Sequence, residues 1–220
     1  MKWHEPGRRN MKSFRLQFFP ATALVVASFV QGTPALAQTP QDWANCLAGD
    51  LNTPELPIEG CSAVIRTGEQ VLRRLAAAYN NRGVAYRLKA NYAQAIDDFN
   101  EAIRLEPKNA NAFNNRGVAY RNMGDLDRAV ADYDQAILIK PDYVAAFYNR
   151  GIALTDKKEY PKAISDFTAV LRVDPKNPTV LYRRGTTYLN SGNIEAGNID
   201  LAEAKAIKPD IAEDIRRGGP

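Results

Sequence analysis

The chain has a single histidine, His4. It lies in an N-terminal segment that the sequence marks for removal, so a histidine-based triad or a histidine metal site is not available to the rest. No glycine-rich loop follows a strand-like run, which removes the phosphate cradle of nucleotide-binding enzymes, and no strand pattern is evident at all. Acidic pairs such as Asp97-Asp98 do recur, but on helix surfaces, where neighbouring carboxylates are ordinarily solvated charge. The expectation is a non-catalytic protein with no cofactor and no metal.

A basic excess is also missing from the body of the chain. The formal net charge of +4 belongs to residues 1–37, where Lys2, Arg8, Arg9, Lys12 and Arg15 stand against Glu5. Beyond them 24 basic residues are matched by 24 acidic ones. A neutral body leaves no electrostatic footprint for DNA or RNA, so nucleic acid is not expected as a partner.

The basic residues of 1–37 fit an export signal. Lys12 and Arg15 precede an apolar stretch, Leu16 to Val30, and Ala35-Leu36-Ala37 is a small-x-small cleavage pattern before Gln38. Met11 is the more natural start. A retained membrane anchor is the alternative, opposed by Pro20 and the shortness of the apolar run. Arg8-Arg9 is a poor twin-arginine signal in its context, and no cysteine follows the apolar stretch to carry a lipid. The expected location is the periplasm or outside the cell, with no stable membrane insertion after cleavage.

Cysteine is scarce, with only Cys46 and Cys61, both in the segment 38–75 ahead of the repeats described below. An exported protein keeps disulfides, and two cysteines allow one intramolecular pairing. Closing a loop of about 15 residues stabilises by roughly 3 kcal/mol in the chain-entropy model. A redox-active pair is disfavoured because the spacing is not Cys-x-x-Cys and no strand pattern surrounds it; two separately buried thiols are the other reading. Helices are expected at Asp42–Ala48 and Ile58–Arg66, on either side of a turn-rich loop running from Gly49 to Pro57.

What the chain has in abundance is a period. Gly83, Gly117, Gly151 and Gly185 are each 34 residues apart, as are Pro107, Pro141, Pro175 and Pro209. A fixed period of this length means stacked supersecondary units rather than one central core. Within each unit apolar residues recur at three- and four-residue steps, first around the glycine and then, as in Ala95, Ile96, Phe99, Ala102 and Ile103, before the proline that ends the second helix.

The pattern Tyr79, Gly83, Tyr86, Ala95, Phe99, Ala102, Pro107, repeated in register through 76–109, 110–143, 144–177 and a degenerate 178–211, resembles the tetratricopeptide repeat. The resemblance implies an all-α fold: a right-handed superhelix (α-solenoid) of four helix-turn-helix repeats, with residues 38–75 as an N-terminal helical cap and 212–220 as a C-terminal tail. Leu154 departs from the pattern by replacing a tyrosine. Gly197 replaces an alanine inside the last repeat's second helix, at a cost of about 1 kcal/mol. Residues Asp210–Arg217 offer Ile211 and Ile215 as a short cap.

Two recurring sets compete for function. Arg82, Arg116, Arg150 and Arg184 stand 16 residues before Asp98, Asp132, Asp166 and Asp200; they are expected to pair within each repeat, an arginine ladder for anions being the alternative. Asn81, Asn115 and Asn149, with Arg183 as their fourth equivalent, fall on the first helix of each repeat, which the resemblance places on the concave face. An asparagine side chain both donates and accepts, so such a row can pair with a peptide backbone whatever its sequence. It resembles the asparagine ladder in the repeat domain of O-linked N-acetylglucosamine transferases. Asn80, Asn114, Tyr148 and Tyr182 neighbour it, with Arg87, Asn111, Arg121 and Asn122 nearby. The other reading is that these asparagines are solvated or tie adjacent helices together. The two-carboxylate clamp of chaperone-binding members is mostly absent: Asn149 and Arg183 match it, but Asn114, Val118 and Thr179 stand where lysine, asparagine and lysine are expected.

The expected partner is therefore a protein or peptide segment held by Asn80, Asn81, Arg87, Asn114, Asn115, Arg121, Tyr148, Asn149 and Arg183, with the chain acting as an adaptor or assembly scaffold. The alternatives are a homo-oligomer stacking through the weakly capped C-terminal repeat, and an accessory regulator of a cell-envelope enzyme.

Overall fold

The computed structural model describes residues 39–47, 53–68 and 71–217. The export signal of residues 1–37, with its alternative start and cleavage site, lies outside the described residues, as do the middle of the loop between the cysteines and the last three residues. Among the described residues there are eleven helices and no strand, and no helix is long and apolar enough to cross a membrane.

The helices are α1 (Pro40–Leu47), α2 (Glu55–Arg66), α3 (Leu72–Leu88), α4 (Tyr92–Leu105), α5 (Ala110–Asn122), α6 (Leu126–Ile139), α7 (Val144–Asp156), α8 (Tyr160–Val173), α9 (Pro178–Asn190), α10 (Ile194–Ile207) and α11 (Ile211–Arg216). From α3 onwards they form four hairpins, each an A helix (α3, α5, α7, α9) followed by a B helix (α4, α6, α8, α10). Each helix packs on its neighbours in the chain, and each A helix also touches the next A helix. The boundaries follow local chemistry. Asn91, Asp125 and Asn193 cap the B helices α4, α6 and α10 by accepting from backbone N–H groups of the first turn. Asn109 and Asn177 do the same for α5 and α9. The four periodic prolines each lie two residues past the end of a B helix, where a proline cannot continue it.

Glycine at the recurring A-helix position is a matter of distance. A Cβ on Gly83, Gly117 or Gly151 would come within 2.7, 2.7 and 2.8 Å of the ring of Phe99, Tyr133 and Phe167. Each ring therefore lies directly on the glycine backbone, and any larger residue must push the two helices of the hairpin apart. The fourth hairpin solves the same contact differently. A Cβ on Gly197 would meet the Leu189 side chain at 2.6 Å, so the glycine that weakens α10 by propensity is also the one that admits Leu189 between the helices.

The arginine–aspartate pairs are framework. Arg82 donates to Asp98 through Nε and Nη2 at 2.8 and 2.7 Å, and Arg116, Arg150 and Arg184 do the same to Asp132, Asp166 and Asp200. The four carboxylates are buried. Burial pushes the Asp98 and Asp166 carboxyls up from their ordinary values while the arginine bonds pull them back. Bonding to the same aspartates raises Arg82 and Arg150. Both partners are thus raised, the aspartates by burial and the arginines by bonding, and the bidentate geometry is that of an ionised pair. Each guanidinium also reaches backwards with Nη1, to Ser62, Asn100, Asp134 and Thr168 respectively, so the ladder stitches each repeat to the one before it. Aromatic faces at 5.5–5.9 Å, those of Tyr79 and Tyr86 in the first repeat and Phe113 and Tyr120 in the second, flank the guanidiniums. With Nε, Nη1 and Nη2 of each already bonded within the fold, these arginines do not form a ladder for anions.

The cap behaves as a shortened preceding repeat. Cys46 on α1 and Cys61 on α2 are joined by a disulfide and fully buried. Gly60 lets α1 lie against α2, since a Cβ there would meet Asn45, Asp42 and Cys46 atoms at 2.6 Å. The cap then supplies the first repeat with what later repeats take from each other: Ser62 Oγ for Arg82, and the Cys46 carbonyl, which accepts from Asn81 Nδ2 at 3.3 Å. At the other end α11 packs on α9, with Ile211 buried at 1% exposure and Lys208 paired to Asp214.

Candidate functional site

The A helices present one continuous row of side chains, and the structure divides the candidates among them by what each already holds. Asn115 Nδ2 donates to Asn80 Oδ1, and Asn149 Nδ2 to Asn114 Oδ1, both at 3.0 Å and both across a repeat boundary. Asn81 closes the same pattern on the cap, while Asn80 Nδ2 donates to Asn81 Oδ1 at 3.3 Å. The row was expected to be free for bidentate pairing with a peptide. Instead one N–H of each asparagine is spent tying adjacent helices together, because the stacking distance brings side chains 35 residues apart within hydrogen-bond reach. Among the described residues the carbonyl oxygens of Asn115 and Asn149 accept no hydrogen bond, only their Nδ2 groups being engaged. Asn114 also departs from expectation: at 6% exposure it is buried, an acceptor inside the row rather than a surface on it.

Tyr148 is half-buried and meets Phe167 edge to face, with ring centroids 6.2 Å apart. It therefore joins the core of the third hairpin to the surface of the row. Tyr182 is half-buried against the same core cluster.

The arginines separate more sharply. Seven among the described residues are half-buried. Four are the framework ladder, each bonded to a buried aspartate. The other three are Arg87, Arg121 and Arg183, all of them candidates from the sequence, and none makes an ion pair. Nε of Arg87 and of Arg183 is sealed from solvent without a hydrogen-bond partner. Arg87 is pushed below its ordinary value by burial, and Arg121 on the next A helix adds to the effect. A positive charge held half-buried without a counter-charge is costly unless something supplies one.

One further group escaped the sequence reading. Tyr133, which stands in the second repeat where Phe99 stands in the first, is fully buried, yet its hydroxyl has no partner among the described residues. Burial pushes that hydroxyl up, and Arg121 and Arg87 are the cations close enough to oppose the shift. The signal was present in the sequence, since Phe99 and Phe167 fill the same position in the flanking repeats. A cleft lined by Val130, Asp134, Arg150, Leu154 and Lys162 opens instead on the framework ion pairs of the third repeat. Among the described residues no group of three or more histidine, cysteine, aspartate or glutamate side chains is placed to hold a metal ion.

Paired helices stacked in register, stitched across every boundary, with one shared row of A-helix side chains, define an α-solenoid. Three consecutive hairpins, residues 76–109, 110–143 and 144–177, match the family model described as "Tetratricopeptide repeat". The fourth hairpin lies outside the matched residues, although it repeats the arginine–aspartate pair. No curated protein matches the chain. Among solved structures it is similar to YrrB, described as a TPR protein with an unusual peptide-binding site, at 23% identity and a TM-score of 0.65, covering 83% of this chain and 93% of that one. It is similar to MamA at 17% identity and a TM-score of 0.64, covering 74% and 92%. The first TPR domain of Spaghetti (RPAP3), bound to the HSP90 peptide SRMEEVD, aligns at 22% identity and a TM-score of 0.53, covering 55% and 98%. At these identities the likeness concerns the fold.

Proposed function

We propose that the chain binds an extended protein segment along the A-helix row of α3, α5, α7 and α9, without catalysis, as an adaptor or assembly scaffold. The observation that carries this reading is the set of three half-buried arginines, Arg87, Arg121 and Arg183, that have no carboxylate partner among the described residues while every other half-buried arginine there has one. The unpaired carbonyl oxygens of Asn115 and Asn149, on α5 and α7 of the same row, suit the N–H groups of an extended backbone. Two solved relatives of this fold are described with peptide sites or peptides, which supports the same use here. The periplasm is the compartment we assign. The reasons are the charge, apolar stretch and small-x-small pattern of residues 1–37 and the Cys46–Cys61 disulfide, a bond that persists in oxidising compartments.

The double variant Asn115→Ala/Asn149→Ala tests the row. Capture of peptides from a mixed library of extended segments is expected to weaken by roughly tenfold, whereas each lost interhelical bond costs only about 1 kcal/mol of stability. Unchanged capture by a variant of native helix content would sink the assignment. The alternative of self-association has one observation in its favour: Ile194 and Ile199 on the last B helix are 57% and 60% exposed. It places the contact on α10 instead of on the A helices.

A further inference from the structure

Arg87 and Arg121 occupy the same position in consecutive repeats, 34 residues apart near the C-terminal ends of α3 and α5. Both are half-buried and neither has an ion-pair partner. The Tyr133 hydroxyl, on the B helix that packs on α5, is in the electrostatic reach of both guanidiniums. Nε of Arg87 and the hydroxyl of Tyr133 are each sealed from solvent with no partner of their own. Buried polar groups in native proteins are almost always satisfied, so two orphans beside one pair of cations point to a group that arrives from outside. The later repeats do not continue the pair, since Thr155 and Leu189 stand at the equivalent positions.

We infer that Arg87, Arg121 and Tyr133 form a carboxylate pocket at the N-terminal end of the row, which anchors an acidic side chain of the bound peptide. The inference rests on the peptide-binding reading above and specifies its chemistry and direction. A carboxylate accepts from two guanidinium forks at once, and the phenol supplies a third donor. A peptide is favoured over a free anion because the row continues past the pocket through Asn115, Asn149 and Arg183, which a small ion would leave unused. Confinement of the pocket to the first two repeats fixes polarity: the acidic end of the segment lies over α3 and α5, and the remainder runs towards α9.

Calorimetric titration of the mature chain with tetraglutamate blocked at both ends, and with blocked tetraglutamine, tests this. Tetraglutamate is expected to bind at least roughly tenfold more tightly than tetraglutamine. Arg87→Gln/Arg121→Gln should weaken tetraglutamate by roughly tenfold. Arg172→Gln/Lys176→Gln, which removes the same charge from exposed positions, should change it by less than about twofold. Tyr133→Phe folds, since phenylalanine fills that position in repeats one and three, and should weaken binding by roughly threefold. The pocket is overturned if tetraglutamate does not bind, if it binds no better than tetraglutamine, or if the Arg87/Arg121 variant stays within about threefold of the unmodified chain or loses no more than the charge control. It is also overturned if inorganic phosphate competes as strongly as tetraglutamate, which would identify a free-anion site, or if Tyr133→Phe leaves the affinity unchanged. Loss of the pocket leaves the groove reading separately testable, because library capture that depends on Asn115 and Asn149 does not require an acidic ligand.

Discussion

Replacing Arg82 by methionine is expected to remove about 3–5 kcal/mol of stability, the cost of leaving one member of a buried ion pair without the other. Asp98 is only 5% exposed, and Arg82 gives it two charge-assisted bonds. The substitution also removes the bond to Ser62 that ties the first repeat to the cap. The effect should depend on pH in a defined sense. Burial already pushes the Asp98 carboxyl above its ordinary value, with Arg82 as the opposing influence. Without Arg82 the folded-state value rises further above the unfolded one, so protons favour the folded state. The variant's deficit should be largest at about pH 7 and should shrink as the pH falls towards the ordinary carboxylate range near 4. Urea unfolding followed by far-UV circular dichroism at the two pH values measures it. Arg82→Met/Asp98→Leu should recover most of the loss at about pH 7, because removing both charges leaves nothing unpaired. Equal deficits for the single and double variants would show that the arginine acts through packing alone.

Reduction of Cys46–Cys61, or its replacement by Cys46→Ser/Cys61→Ser, is expected to cost the cap about 3 kcal/mol, the loop-closure value for a separation of 15 residues. Two helices of 8 and 12 residues are too short to hold together well without that closure. Their loss would reach the first repeat directly, since α2 packs on α3 and the Cys46 carbonyl and Ser62 hydroxyl accept from Asn81 and Arg82. The second and third repeats draw both kinds of bond from their own predecessors, and the fourth draws the guanidinium bond, from Arg184 to Thr168. Hydrogen exchange should therefore show protection falling first in α1, α2 and α3 and persisting in α5 to α10, the graded behaviour of a nearest-neighbour array. A reduced protein with unchanged protection in α1 and α2 would mean that the cap is held by packing and not by the bond.

Both predictions concern features that could be read from spacing. The 34-residue period set the hairpins, the prolines marked the ends of the B helices, and the constant interval of 16 paired each arginine with an aspartate in its own repeat. The same interval read backwards reaches Asn100, Asp134 and Thr168, the partners that join repeats. That half of the pattern is visible only once the helices are stacked, because nothing in one hairpin shows which donor faces its neighbour. The asparagines illustrate the limit more clearly. Their recurrence located the row, but whether an amide turns outward or across depends on a distance between helices 35 residues apart in the chain. Gly197 was legible as a weak helix residue and illegible as the space occupied by Leu189. Tyr133 was visible as one hydroxyl among phenylalanines, yet only its burial beside Arg87 and Arg121 gave it meaning.

Binding along the A-helix row requires that this face of the array, and not the B-helix face, meets the partner. A photo-reactive phenylalanine analogue placed in turn at Asn111 on α5, Ala131 on α6 and Ile199 on α10, all exposed, addresses this directly in the presence of the mixed peptide library. Adducts from the Asn111 position, with none from Ala131 and no cross-linked dimer from Ile199, are the predicted result. Adducts of equal yield from Ala131, or a dimer formed through Ile199, would contradict it.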